Sequence, residues 1–220
     1  MTASGTPRRR RRGRRLAFAA VAVGGLVATG AVAAAVFDAR NPPTLDPTGR
    51  PSVMVLDRTG TLLRPFTTQA GRWRLPVAVD DVDPRYLELL FAYEDKRFRD
   101  HFGVDPRAML RAVWQAVTTG GIVSGGSTLT MQTARLLEDR HERTLDRKLV
   151  EMVHAVQLER RLSKDEILKR YLALAPFGGN LEGVRAASLA YFGREPARLT
   201  LGQAALLVAL PQAPEGRRPD

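Results

Sequence analysis

The chain has 220 residues, of which 44% are hydrophobic and 26% charged, a composition that excludes a disordered or fibrous protein and fits one enzyme-sized core. It contains no cysteine, which excludes a disulfide scaffold, thiolate metal sites and cysteine nucleophiles. The net charge of +11 is typical of a nucleic-acid binder, but residues 1–37 carry seven arginines and no acid, which leaves only 27 basic against 23 acidic groups elsewhere. We therefore expect no nucleic-acid partner.

Residues 16–37 form an uncharged run dominated by Ala, Val, Leu and Gly. At ~1.5 Å per residue, a helix of this length spans roughly 33 Å, which is enough to cross a hydrocarbon core of about 30 Å. Because the arginine cluster precedes the run, the positive-inside rule places that cluster in the cytoplasm. We predict a cytoplasmic tail (1–15), a transmembrane signal anchor (16–37) in the inner membrane and a periplasmic remainder.

Two other export signals fit the same residues. A cleaved secretory signal has a shorter apolar region of about 7 to 15 residues, although Ala33 to Ala35 offers a small-residue cleavage site. The pair Arg14-Arg15 before an apolar run is also typical of a twin-arginine signal. All three interpretations export the rest of the chain.

The next elements are a linker and a hairpin. Residues 38–51 are predicted to form an extended linker, because residues 41–51 hold four prolines and a glycine. Residues 52–63 then alternate around the turn signal Asp57-Arg58-Thr59-Gly60, which predicts a β-hairpin.

After Pro84 the pattern becomes helical, with N-cap acceptors before proline or capping boxes as start signals. These signals are Asp83-Pro84, Asp105-Pro106, Ser163 with Glu166, and Thr200 with Gln203. The glycines at 120–121 and 178–179 and Gly193 are predicted to end helices. The sequence thus predicts a mainly α domain of six or seven short helices after one hairpin.

Glu94 interrupts an apolar stripe of the first predicted helix. The stripe consists of Leu87, Leu90, Phe91 and Phe98. Burying an ionised carboxylate costs several kcal/mol unless it is paired. Glu94 therefore either pairs with Arg97 or Lys96 at the helix rim, or borders a cleft where a carboxylate is suited to general acid or base catalysis. Spacing leaves both interpretations open.

Two further stretches are candidates for ligand binding. In the glycine-rich residues 120–132, Ser127 or Thr128 would cap a helix whose free N–H groups favour an anion, and the alternative is an ordinary flexible loop. Arg147 and Lys148 precede Glu151 by one helical turn on the same face. They form either an exposed salt bridge or a phosphate or pyrophosphate cradle beside an acid.

Five blocks, taken in order, resemble the peptidoglycan glycosyltransferases of family 51, the polymerase module of class A penicillin-binding proteins. The blocks are residues 94–103, 125–132, 147–151, 167–178 and 186–211. The resemblance runs from about Ser52 to the end of the chain, and departures at residues 131–132 and 174–184 favour one subgroup of the family. It implies a lysozyme-like glycosyltransferase lobe (52–220) with a small jaw subdomain around residues 104–126.

The resemblance also implies an activity. Glu94 would be the general base that deprotonates the sugar 4-hydroxyl of lipid II, which attacks the growing glycan strand with inversion. Glu151 would assist departure of undecaprenyl pyrophosphate, whose charge Arg147 and Lys148 would offset. Further substrate contacts are expected from a set of residues distributed over the first three blocks. These residues are Asp95, Phe98, His101, Gly126, Ser127, Thr128, Gln132, Arg147 and Lys148.

The resemblance further implies partners and cofactors. The partners are lipid II, the growing glycan strand, the inner membrane and cell-wall synthesis proteins. The three histidines, His101, His141 and His154, lack metal-ligand spacing, so we predict no protein metal site. No cofactor is certain, and a divalent cation, Mg²⁺ or Mn²⁺, is the one candidate for assisting pyrophosphate departure.

Two alternatives share the same residues. A lysozyme-like hydrolase or lytic transglycosylase also uses a helix-borne glutamate, but glycan cleavage gives the cations near Glu151 no pyrophosphate to stabilise. A membrane-tethered scaffold without activity is the other alternative. Neither Ser-x-x-Lys nor Lys-Thr-Gly occurs in the sequence, so we expect no transpeptidase domain and a glycosyltransferase module that is truncated at Asp220.

Overall fold

The computed structural model describes residues 35–46, 50–119, 126–138 and 145–219. The chain divides into two compact units, residues 1–42 and 43–220. In the first unit, residues 35–40 are helical, so this helix continues into the predicted linker, while the predicted tail and nearly all of the predicted anchor lie outside the described residues. Within the described ranges, none of the helices has the length and apolar character that crossing a bilayer requires.

The predicted hairpin is confirmed at the start of the second unit. Strands β1 (Met54–Leu56) and β2 (Leu62–Pro65) pair antiparallel with a register irregularity between Val55 and Leu56. Asp57 closes the turn because its Oδ1 accepts hydrogen bonds from the backbone N–H groups of Thr59 (2.7 Å) and Thr61 (2.9 Å). Such local side-chain acceptors fix a turn without help from the rest of the fold.

The domain is mainly α, as predicted, with seven α-helices after the hairpin in the described part of the chain. They are α1 (Pro84–Glu94), α2 (Pro106–Thr119), α3 (Leu129–Leu137), α4 (Leu145–Arg161), α5 (Lys164–Leu174), α6 (Val184–Phe192) and α7 (Leu201–Ala209). Two short strands, β3 (Trp73–Arg74) and β4 (Leu181–Glu182), pair in parallel. One-turn 3₁₀ helices lie at Val79–Asp81, Pro196–Arg198 and Leu210–Gln212.

The predicted helix starts are confirmed by their capping bonds. Asp83 and Asp105 accept from the N–H groups two residues on, each at 2.9 Å, and both capping boxes are closed. Gly193 ends α6 in the left-handed conformation, but the prediction for residues 178–179 is wrong. Helix α5 already ends at Leu174, because the residue before Pro176 is excluded from helical backbone, and the two glycines form the turn into β4. Residues 120–121 lie outside the described part.

The core is built from the apolar faces of α1, α3, α5 and α7. Helix α3 packs against α4 and α5, and α1 packs against α7. The largest fully buried side chains of the core include Tyr86, Leu90, Phe98, Leu129, Leu158, Leu168, Tyr171 and Phe177. Helix α2, in the predicted jaw region, instead exposes Leu110 and Trp114, whose side chains are 71% and 70% accessible. This packing brings the end of α1 and the start of α3 together.

Candidate active site

Glu94 is the last residue of α1, and its half-buried carboxylate is held by two glutamine amides. Gln132 Nε2 donates to Glu94 Oε2 at 2.8 Å, and Gln212 Nε2 donates to Oε1 at 3.0 Å. The alternative of a rim salt bridge with Arg97 is not what forms, since Arg97 pairs with Asp105 through Nε and Oδ2 at 3.1 Å. Glu94 is therefore partly exposed to solvent, and its hydrogen-bond partners are uncharged.

This arrangement is suited to accepting a proton. An ionised carboxylate offers about four lone-pair positions, and the two amide N–H groups occupy two of them. One position on each oxygen remains for an incoming hydroxyl. Because amides carry no charge, they fix the carboxylate and leave its negative charge in place, whereas a cation would neutralise that charge.

Two buried phenols line the core near Glu94. Burial raises the pKa of Tyr86, and the negative charge of Glu94 raises it further. Burial also raises the pKa of Tyr171, and the neighbouring Tyr86 and Glu94 raise it by smaller amounts. Both phenols therefore stay protonated at neutral pH and present an uncharged core surface to the glutamate.

The first turn of α3 is fixed from two sides. Thr128 is its N-cap: the hydroxyl accepts from Met131 N at 3.1 Å and donates to the Gly103 carbonyl at 2.5 Å. Asp95 Oδ2 accepts from Leu129 N at 3.0 Å. A carboxylate at a helix N-terminus interacts favourably with the helix dipole. The anion site predicted for this terminus is thus partly filled by a residue of the chain itself.

Three predicted substrate contacts lie inside the protein. The side chains of Asp95 and His101 are 3% and 4% accessible and pair through His101 Nε2 at 2.9 Å. Phe98 is 1% accessible and stacks on Phe91 with ring centroids 5.5 Å apart. The spacing of apolar residues predicted that Phe98 lies on α1. This prediction is wrong, because the helix ends at Glu94. These three side chains are therefore internal, and the carboxylate of Asp95 binds the start of α3.

The cationic residues lie on the first turns of α4. Arg147, Lys148 and Glu151 are all half-buried. Lys148 Nζ contacts Ser127 Oγ, next to the half-buried Gly126. Among the residues that the structure describes, Glu151 forms no hydrogen bond or ion pair with either cation, so the predicted alternative of an intrahelical salt bridge is not formed. The first turns of α4 thus carry two cations and one carboxylate, each partly exposed to solvent.

Helix α3 connects the glutamate to the cations. Gln132, one turn inside α3, contacts Glu94, while Ser127, directly before the N-cap, contacts Lys148. The start of α3 is therefore in contact with both the Glu94 carboxylate and the Lys148 ammonium group. A substrate with a hydroxyl for Glu94 and a phosphate for Lys148 would lie across the start of α3.

Gln212 is the site residue that the sequence did not indicate. It lies 118 residues after Glu94, in the 3₁₀ turn that follows α7. The fifth block of the family resemblance ends at Leu210-Pro211, directly before it, which is the only signal that pointed to this segment.

The described residues contain no group of three or more His, Asp or Glu side chains placed to hold a metal ion. They do not fit a divalent cation bound by protein side chains alone.

Comparisons with known proteins agree on one family. Residues 59–220 match the family model described as Transglycosylase. The chain is 52% identical to penicillin-binding protein 1C of Escherichia coli over 170 residues, which are 77% of this chain and 22% of that protein. It is 38% identical to penicillin-binding protein 1F of Bacillus subtilis, over 76% of this chain and 23% of that protein. The chain thus spans about a fifth of the length of these relatives.

Proposed function

Because the chain belongs to the transglycosylase family found in class A penicillin-binding proteins, we propose that it is a peptidoglycan glycosyltransferase that polymerises lipid II into glycan strands. The observation that carries this proposal is the Glu94 carboxylate, which accepts hydrogen bonds from Gln132 and Gln212. Gln132 lies on α3, and Lys148 contacts Ser127, directly before the N-cap of the same helix. A base for a hydroxyl and a cation for a phosphate are the two groups that glycosyl transfer from a lipid pyrophosphate requires.

In the proposed reaction, Glu94 takes the proton of the 4-hydroxyl of one lipid II molecule. The hydroxyl oxygen attacks the anomeric carbon of the growing strand from the face opposite the pyrophosphate, so the configuration inverts. The bond between that carbon and the pyrophosphate oxygen breaks, and its electron pair leaves with undecaprenyl pyrophosphate. The proton on Glu94 is released to solvent, which the half-buried position of the side chain allows.

The α4 cations would act on the leaving group. A pyrophosphate gains negative charge as the bond to carbon breaks, so fixed positive charges stabilise the transition state more than the substrate. Arg147 offers a planar fork for two phosphate oxygens, and Lys148 a compact charge. Glu151, which has no ion pair among the described residues, would orient these cations or assist the leaving oxygen.

The proposed function includes a location. The uncharged run of residues 16–37 behind an arginine cluster supports a single-pass anchor in the inner membrane, with the catalytic domain in the periplasm. A lipid-linked substrate is then available at the surface where the enzyme is held.

The test is incubation of the purified full chain, in detergent, with fluorescently labelled lipid II and, separately, with preformed glycan strands. Polymer from lipid II is the expected result. Cleaved strands would support the hydrolase alternative, and the absence of both products would support a scaffold. The matched control is Glu94→Gln, which keeps the size of the side chain and accepts no proton.

A further inference from the structure

We propose that Gln212 is a positioning residue for Glu94, which orients the carboxylate for proton abstraction, an inference that rests on the proposed function. Its Nε2 donates to Glu94 Oε1 at 3.0 Å, while Gln132 takes the other carboxylate oxygen. A carboxylate held at one oxygen still rotates about its last bond, whereas one held at both has a fixed plane. The second donor thus determines the direction of the free lone pairs.

The Gln212 amide is itself oriented by two donors. Its Oε1 accepts from the Tyr93 hydroxyl at 3.0 Å and from Arg217 at 3.4 Å. Because both partners donate, the oxygen of the amide must face them and the NH₂ group must face Glu94. The reversed amide would place its oxygen against the carboxylate. One side chain thus contacts consecutive residues of α1, the phenol at 93 and the carboxylate at 94.

The backbone around Gln212 is fixed independently of this contact. Leu210, two residues earlier, is fully buried, and Arg217 donates to the carbonyl of Ala209 at 2.7 Å. The Gln212 side chain itself is exposed. Its replacement should therefore leave the fold intact, so that a loss of activity reports on Glu94.

The experiment measures polymerisation rates of the full chain in detergent as a function of lipid II concentration. Gln212→Met keeps the length of the side chain and removes the donor, and we expect kcat to fall about tenfold with KM within twofold. Tyr93→Phe, which removes the nearer of the two donors that orient the amide, should lower kcat two- to threefold. Gln69→Ala, an exposed glutamine in the turn after β2, is the matched control and should leave both constants unchanged.

Each outcome decides the inference. An unchanged kcat in Gln212→Met overturns it while the proposed function stands. A raised KM with unchanged kcat also overturns it, because Gln212 would then contact the substrate rather than act through Glu94. The unfolding midpoint of each variant, expected to equal that of the wild type, separates these results from a loss of folding.

A second measurement does not depend on activity. In a ¹H–¹⁵N spectrum, the side-chain amide of Gln212 is assigned by its absence in Gln212→Met. A proton donated to a carboxylate resonates downfield, so Glu94→Ala should move this signal upfield and leave that of Gln69 in place. If the wild type makes no polymer, the proposed function fails by itself. The contact on which the inference rests is then overturned if the signal does not respond to Glu94→Ala.

Discussion

Glu94, at the end of α1, and Glu151, on α4, are both half-buried carboxylates, but their surroundings differ. Glu94 has a hydrogen-bond donor on each oxygen and two neutral buried phenols near it. Glu151 forms no such bond among the described residues, and Lys148, on the preceding turn, contacts the hydroxyl of Ser127. The carboxylate of Glu94 is therefore held by two neutral donors, whereas that of Glu151 has no such donor among the described residues.

The difference follows from the chemistry that each region would perform. A general base must be in place before the substrate arrives, because its direction decides whether the proton is transferred. Cations beside a pyrophosphate act through their charge, which stabilises the leaving group as its bond to carbon breaks.

The strongest test is removal of the base. We expect Glu94→Gln to lower the polymerisation rate by about 10³-fold, within the 10²- to 10⁴-fold range for the loss of a general base. The amide no longer accepts a proton, while the α1 core residues Tyr86 and Leu90 remain buried. Measured lipid II binding should change less than twofold. Turnover close to that of the wild type would remove Glu94 from the mechanism and with it the contrast between the two regions.

The second test addresses the α4 cations. We expect Arg147→Ala to weaken lipid II binding about tenfold, since a charge-assisted contact to phosphate is lost. Increasing the salt concentration should weaken binding by the wild type more than by the variant, because the wild type has one more charge to screen. The measurement is a binding titration with labelled lipid II, and Arg58→Ala in the exposed turn of the hairpin is the control. An unchanged affinity would show that Arg147 does not face the substrate.

Parts of this arrangement were predictable because they depend on neighbours in the chain. The caps at Asp83 and Ser163 act within three residues, and the hairpin turn closes on Asp57 alone. The position of Phe98 was not predictable from spacing. Helix α1 ends at Glu94 because Asp95 leaves the helical backbone and its side chain binds the start of α3, 34 residues on. A repeat of apolar residues carries no information about such a contact.

The site shows the same division. Glu94 was a candidate because it interrupts an apolar stripe, which is a local property of the sequence. Its two partners follow from packing: Gln132 lies 38 residues away and Gln212 lies 118 residues away. The first was expected to bind substrate, and the second was not expected at all. Long-range polar contacts of this kind are selected by the folded geometry, and the sequence pattern has no period that reveals them.

The third test weakens the helix that joins the two regions. Thr128→Ala removes the N-cap of α3 and leaves the carbonyl of Gly103 without this donor, so we expect the free energy of unfolding to fall by about 1–2 kcal/mol. Thr128→Ser retains the hydroxyl and should recover most of the loss. Urea denaturation followed by circular dichroism measures both. An equal loss in the two variants would mean that the methyl group, rather than the cap, is responsible.

The smallest expected effect comes from the far end of α1. Asp83 caps this helix, and its hydrogen bond from Arg85 holds the pKa of the carboxyl below the usual value of 3.8. We expect Asp83→Ala to reduce the free energy of unfolding by about 1 kcal/mol at neutral pH. A lowered pKa means that the stabilisation is complete above pH 3.8 and is lost as the pH falls through the folded-state value. Unfolding curves of the wild type and Asp83→Ala should therefore converge in acid.

The same substitution sharpens the comparison between the regions. If Glu94 is fixed by Gln132 and Gln212 rather than by the length of α1, weakening the cap eleven residues earlier should leave kcat within twofold while stability falls. Asp83→Asn, which retains a capping oxygen without the charge, separates the cap from the ion pair with Arg85. A kcat that falls in parallel with stability in Asp83→Ala would show that the whole helix, and not the two amides, determines where the carboxylate points.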